Sequence, residues 1–98
     1  MIYVVATLTI KPGSLAALRA PAAACVAATR AEAGCLGYDL HVSLEDEQRL
    51  VFVEAWTTRE ALSAHARTPH LAAWRAASAP HLVERRIDVI HADKVETF

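Results

Sequence analysis

Residues 36–56, LGYDLHVSLEDEQRLVFVEAW, decide the fold. Leu36 to Ser43 alternates, Glu45-Asp46-Glu47-Gln48 is a charged loop of ordinary hairpin length, and Arg49 to Trp56 is the strongest strand in the chain, rich in Val, Phe and Trp. Upstream, Ile2, Val4, Ala6, Leu8 and Ile10 form one face of a period-2 run, with Tyr3, Val5, Thr7 and Thr9 on the other. Lys11-Pro12-Gly13-Ser14 breaks that strand, and Ser14 is placed to N-cap a helix. Leu15 to about Ala33 reads as that helix, with Leu18, Ala22, Cys25 and Val26 near one stripe and Arg19, Arg30 and Glu32 facing water. Pro21 should kink it and Gly34 should end it. Downstream, Thr57-Thr58-Arg59-Glu60 matches a capping box for a short helix through Ala61, Leu62 and His65. Thr68-Pro69 restarts a helix that carries Leu71, Trp74 and Arg75, and Pro80 closes it. Leu82 to His91 is a last strand, with Val95 to Phe98 as an extended tail or short fifth strand. The order β-α-β-β-α-β is the split βαβ of ferredoxin-like α+β folds, an antiparallel sheet with helices on one face. The other face would carry Val5, Val51 and Val53, which predicts a homodimer that buries them sheet to sheet.

With 98 residues the chain is a single domain, 1–98. Ten Lys+Arg against 11 Asp+Glu leave a net charge of -1, so no global field draws it to nucleic acid or an anionic membrane. No apolar run approaches the roughly 20 residues that span a bilayer, and Met1-Ile2-Tyr3-Val4-Val5 lacks the basic start of a signal peptide. A cytoplasmic location is the default expectation. Cys25 and Cys35 are too far apart for a C-x-x-C site and read as small buried hydrophobes. No Gly-rich phosphate loop, G-x-S-x-G or H-E-x-x-H is present, and no metal site is expected.

The residues with chemical potential cluster on or after the third strand. Strand parity puts Phe52, Glu54 and Trp56 on one face. If that is the helix-covered face, Glu54 is a carboxylate among aromatic groups that stays protonated or needs a partner. His65 is the nearest candidate, and a Glu–His pair would make a general base near neutral pH. Set against this, a lone Glu on a strand is usually exposed or paired with Arg, and a His on a short helix is usually a surface residue. His70 can serve as a polar contact or merely support the second helix cap. Trp56 and Trp74 fit a pocket wall or plain core, and Tyr38 can donate into a pocket or pack.

Glu32-Ala33-Gly34-Cys35-Leu36-Gly37-Tyr38, Glu54-Ala55-Trp56 and His65-Ala66-Arg67-Thr68-Pro69-His70 supply E-x-G-C-x-x-Y, E-x-W and H-x-x-T-P-H in order. This combination resembles the antibiotic biosynthesis monooxygenase (ABM) domain family, closest to its small bacterial quinol monooxygenases. The resemblance implies a dimeric α+β barrel with a pocket in each subunit, and oxidation of a small quinol or polyketide-like aromatic by O2 without flavin, metal or haem. It implies Glu54 and His65 as the acid/base pair, His70 as a second polar contact and Trp56 as a wall, and Phe52, Tyr38 and Trp74 are expected around the substrate with them. The haem-degrading branch relies on a first-strand Asn and a haem-ligating His. The matching places are Ala6 and Arg75, and the chain has no Asn, so haem degradation is disfavoured. A branch similar to isomerases of phosphorylated autoinducer-2 shares the Glu and His spacing; few pocket-facing cations can be placed for its phosphate, which counts against it. A non-catalytic dimeric domain that binds a small ligand is the third reading.

Overall fold

A computed structural model describes all 98 residues. Four strands, β1 (Ile2–Ile10), β2 (Cys35–Val42), β3 (Arg49–Trp56) and β4 (Leu82–His91), form one sheet in the order β2-β3-β1-β4, and every pair is antiparallel. Three helices accompany it: α1 (Leu15–Arg30), α2 (Arg59–His65) and α3 (Pro69–Ser78), the last running into a single 3-10 turn at Ala79–His81. This is the ferredoxin-like arrangement, with the second helical segment split in two at Thr68-Pro69.

Alternation along β1 and β3 sorts the sheet into two faces. Ile2, Val4, Ala6, Leu8 and Ile10 are buried under the helices together with Leu50, Phe52, Glu54 and Trp56. Register places Ala6 between Phe52 of β3 and Ile87 of β4, and Val4 between Glu54 and Val89. The small side chain of Ala6 leaves depth in the middle of that face. α1 packs on α3 and β2, and α2 on β3, whereas β4 is held by β1 and carries no helix of its own. Ile87 and Val89 are therefore 46% and 37% exposed although they point to the helix side. The opposite face carries Val5 and Val51 half-buried and Val53 exposed, an apolar strip without cover, as the periodicity implies.

Several local expectations shift by a residue or more, each for a visible reason. Ser14 does not cap α1: its backbone is already helical (φ -78, ψ -21), and its hydroxyl bonds His81 Nδ1 at 2.8 Å. α1 continues through Pro21 and stops at Arg30, not Ala33. The cap of α2 is Thr58, extended at φ -142, ψ 162, whose Oγ1 accepts from Ala61 N at 3.1 Å. Thr57 lies one residue too early to cap a helix that starts at Arg59, and its N–H donates to the Gly34 carbonyl at 2.9 Å. Thr68 caps α3 as expected, ahead of Pro69. In β2 the register slips between Cys35 and Gly37, so Leu36 bulges out and is 55% exposed while Tyr38 turns inward opposite Glu54. Val95 to Phe98 forms no fifth strand.

Gly34 closes the turn between α1 and β2 at φ +82, and a Cβ there would sit 2.6 Å from the Ala61 Cβ and 2.8 Å from Thr57 Oγ1. Left-handed backbone and steric overlap then act together. Gly34→Ala should cost about 2–4 kcal/mol of stability, read as a lowered denaturant midpoint with an unchanged slope. Wild-type stability in that variant would mean the turn relaxes away from α2.

Candidate functional site

Period-2 geometry brings Glu54 and Trp56 to one side of β3. There Trp56 Nε1 donates to Glu54 Oε1 at 3.0 Å, with the Trp56 side chain completely covered. Burial pushes the Glu54 carboxyl above its ordinary value of 4.5, against the Trp56 indole N–H and the charge of His65, which both favour the carboxylate. Tyr38, opposite Glu54, is held neutral by burial and by that same carboxylate.

His65 is the last residue of α2 and is buried, its ring 4.9 Å from Trp56 and 5.3 Å from Tyr38 between centroids. Its hydrogen-bond partner is Glu32: Nδ1 lies 2.7 Å from Oε2. The same oxygen receives His70 Nε2 at 2.8 Å. A carboxylate oxygen only accepts, so Nδ1 of His65 and Nε2 of His70 are the protonated nitrogens. In its neutral form His65 then carries its lone pair on Nε2. That nitrogen makes no hydrogen bond within the protein, and no buried side-chain nitrogen or oxygen lacks a partner, so Nε2 opens onto accessible space. The arrangement is an imidazole with one nitrogen fixed by a carboxylate and the other free to take a proton.

The space it opens onto is a cavity of about 450 Å³ between the sheet, α2, α3 and β4. Val4, Ala6 and Leu8 form its floor, and Tyr38, Phe52 and Trp74 its aromatic walls, with Glu54 and His65 at the buried end. Five of the seven residues expected at the site therefore line one cavity. Trp56 lies beneath the lining, where it bonds Glu54, and His70 stands outside it, bonded to Glu32. Glu54 and His65 face the same cavity, yet the hydrogen-bond partner of each is another residue.

Two features escape the sequence reading. Glu32, expected to face water, is only 14% exposed at its side chain and joins His65 to His70. The helix ends two residues before Glu32, which removes the periodicity that would turn it outward. Arg59, Arg67, Arg75 and Arg85 all line the cavity, which overturns the expectation of few cations there. The group with metal-ligand chemistry is Glu32, His65 and His70. Its ligand atoms lie within 4.8 Å of one another, but a cation would have to displace both N–H protons from the shared oxygen. Cys25 and Cys35 are both free thiols.

The sequence profile of a family described as antibiotic biosynthesis monooxygenase matches residues 1–77. The chain belongs to the ABM family. Rv0793 of Mycobacterium tuberculosis, named as a candidate monooxygenase, is 40% identical over 75 residues, 76% of this chain and 73% of that protein. Its solved structure superposes with a TM-score of 0.88 at 32% identity, over 98% of both chains. PA3566 from Pseudomonas aeruginosa gives a TM-score of 0.85 at 35% identity, over 93% of this chain and 92% of its own. An ABM protein from Nitrosomonas europaea, at 24% identity, reaches 0.91 over 96% of this chain and 100% of its own, a likeness of fold. This ABM chain thus has the family's architecture around a cavity with one open imidazole nitrogen.

Glu54 also makes the cavity's buried end sensitive to pH in a definite direction. A carboxyl whose folded pKa is raised binds its proton more tightly in the folded state. Its contribution is fully present below pH 4.5 and is lost as pH rises through the interval above that value. Glu54→Gln keeps an acceptor for Trp56 Nε1 and removes the titration. The variant should be more stable than wild type at neutral pH, and the difference should vanish toward acid. Thermal unfolding across pH reads this, and a difference that grows toward acid would show a stabilising carboxylate instead.

Proposed function

We propose that this ABM protein is a cofactor-independent monooxygenase that oxidises a small quinol or related electron-rich aromatic with O2. The observation that carries the reading is the free Nε2 of His65, backed at Nδ1 by Glu32 and facing an aromatic-walled cavity. His65 removes a proton from a substrate hydroxyl or from an activated C–H. The resulting anion passes one electron to O2, and the radical pair combines to a hydroperoxide. Loss of water leaves a carbonyl, with one oxygen atom in the product and the other in water. Substrate and O2 supply every electron, and the protein supplies binding, desolvation and the base. Glu54, in its protonated form, can donate a hydrogen bond to the developing peroxide.

Oxygen uptake by the purified protein with a panel of reduced naphthoquinols and anthrones tests this. Uptake above spontaneous autoxidation supports it, and background rates across the panel overturn it. A second reading keeps ground on one observation: four arginines at the cavity suit a phosphate, so an isomerase of a small phosphorylated ligand would use the same His65. Its sign would be turnover of such a ligand without oxygen consumption.

The working unit in this proposal is a homodimer in which Val5, Val51 and Val53 of two copies meet. Val53, 43% exposed at the middle of β3 beside Val5, is the point to break it. Val53→Arg should convert a dimer to a monomer in sedimentation, since a buried unpaired charge opposes association. A monomeric wild type, or an unaltered mass in the variant, would show that this face is not the interface.

A further inference from the structure

Charge on the cavity is distributed unlike charge on the chain. The whole protein carries -1, with 11 acidic residues, yet the cavity has four arginines and a single acid, Glu54, which burial holds toward its neutral form. Arg59, Arg67, Arg75 and Arg85 come from α2, the turn after it, α3 and β4, and none of them is in an ion pair. Of the four arginines outside the cavity two are paired, Arg30 with Asp39 at 2.7 Å and Arg86 with Asp88 at 3.1 Å, and Arg19 and Arg49 are not. Of the four at the cavity, only Arg59 has a side-chain hydrogen bond, to Ser63 Oγ at 2.8 Å. Gathering like charges without counter-charge works against folding and favours an arriving anion. The four are exposed, whereas Glu54 and His65 are buried, so the cations stand at the mouth and the proton chemistry at the far end.

We propose that the substrate is an aromatic acid: a flat ring system with a carboxylate at one end and its reacting hydroxyl at the other. The ring packs between Tyr38, Phe52 and Trp74, the carboxylate stays at the mouth against the guanidinium forks, and the opposite edge reaches His65. This rests on the oxygenase reading for the reaction, but the anion site is tested by binding alone. Ring and anion together distinguish the ligand from a neutral quinol, which leaves the arginines unused, and from a sugar phosphate, which leaves the aromatic walls unused.

Isothermal titration calorimetry with 6-hydroxy-2-naphthoate, 2-naphthol and ribose 5-phosphate at low and high salt tests it. The naphthoate should bind about tenfold or more tightly than the naphthol at low salt, as charged hydrogen bonds require, and the gap should narrow with salt. Arg67→Gln, Arg75→Gln and Arg85→Gln should erode the preference, while Arg19→Gln, outside the cavity, should leave it intact. Equal affinity for acid and naphthol, a preference that survives all three cavity variants, or no binding of either ring compound would overturn the proposal. Ribose 5-phosphate binding as tightly as the naphthoate would overturn it in favour of a phosphate site. An acid preference without oxygen uptake by any quinol, neutral or carboxylated, would leave the anion site standing and remove the oxygenase. Uptake with neutral quinols and no acid preference would do the reverse.

Discussion

His65→Gln lowers turnover of an accepted quinol about 10²- to 10⁴-fold, the range a positioned general base contributes, with a much smaller change in KM. The expectation comes from the hydrogen-bond inventory. Glu54 is buried, its carboxyl pushed above the ordinary value yet far less basic than an imidazole, Tyr38 is neutral, and Glu32 already accepts from two histidines. Among these groups His65 Nε2 is the nitrogen with an unengaged lone pair on the cavity, and Glu54 Oε2 is the other unengaged atom there. Glutamine fills much of the same volume, so α2 and its packing on β3 should persist, and circular dichroism checks that they do. His65→Ala leaves room beside Trp56 and Tyr38 for a free imidazole, and added imidazole should restore part of the rate. Comparable losses with no rescue, together with a shifted unfolding midpoint, would mean that His65 only packs.

The legible part of this site is the part that depends on strand parity. Phe52, Glu54 and Trp56 share a face because a strand has period two, and the burial of Leu50, Phe52, Glu54 and Trp56 obeys that pattern without exception. The break at Thr68-Pro69 is equally readable, because a Thr cap and a first-turn Pro act locally. The illegible part depends on where a helix stops and on which segments converge. Glu32 turns outward only if the helix runs two residues further, and the turn that redirects it depends on Gly34 lying against Ala61, 27 positions away. Tyr38 faces inward because of the bulge at Leu36, a register slip that regular alternation does not announce. The cavity arginines sit on α2, the turn after it, α3 and β4, spaced eight to ten residues apart, so only the fold gathers their charges. Trp56 reads as a wall because it shares the face of Glu54, but a full-length indole under α2 and the His65 ring is covered and reaches back to the carboxylate.

Glu32→Gln separates positioning from proton transfer. Glu32 lies outside the cavity lining, and the cavity residue it bonds is His65, so its direct route to the reacting end is that imidazole. As a carboxylate it fixes the proton of His65 on Nδ1 and leaves Nε2 free. A glutamine amide in its place can present its NH2 group to Nδ1, which stabilises the opposite tautomer, with the proton on Nε2 and no base in the cavity. Where an amide replaces the carboxylate behind a catalytic imidazole, the loss reaches about 10⁴-fold in kcat through the wrong tautomer alone. A fall of about 10²- to 10⁴-fold is expected here, with KM little changed because no ring-binding residue is altered. Nitrogen-15 shifts of the His65 ring report the tautomer directly and should invert between wild type and Glu32→Gln. Glu32→Asp keeps an acceptor and should retain the native tautomer with part of the rate. A merely structural Glu32 would lower the unfolding midpoint in both variants and leave the His65 shifts where they were.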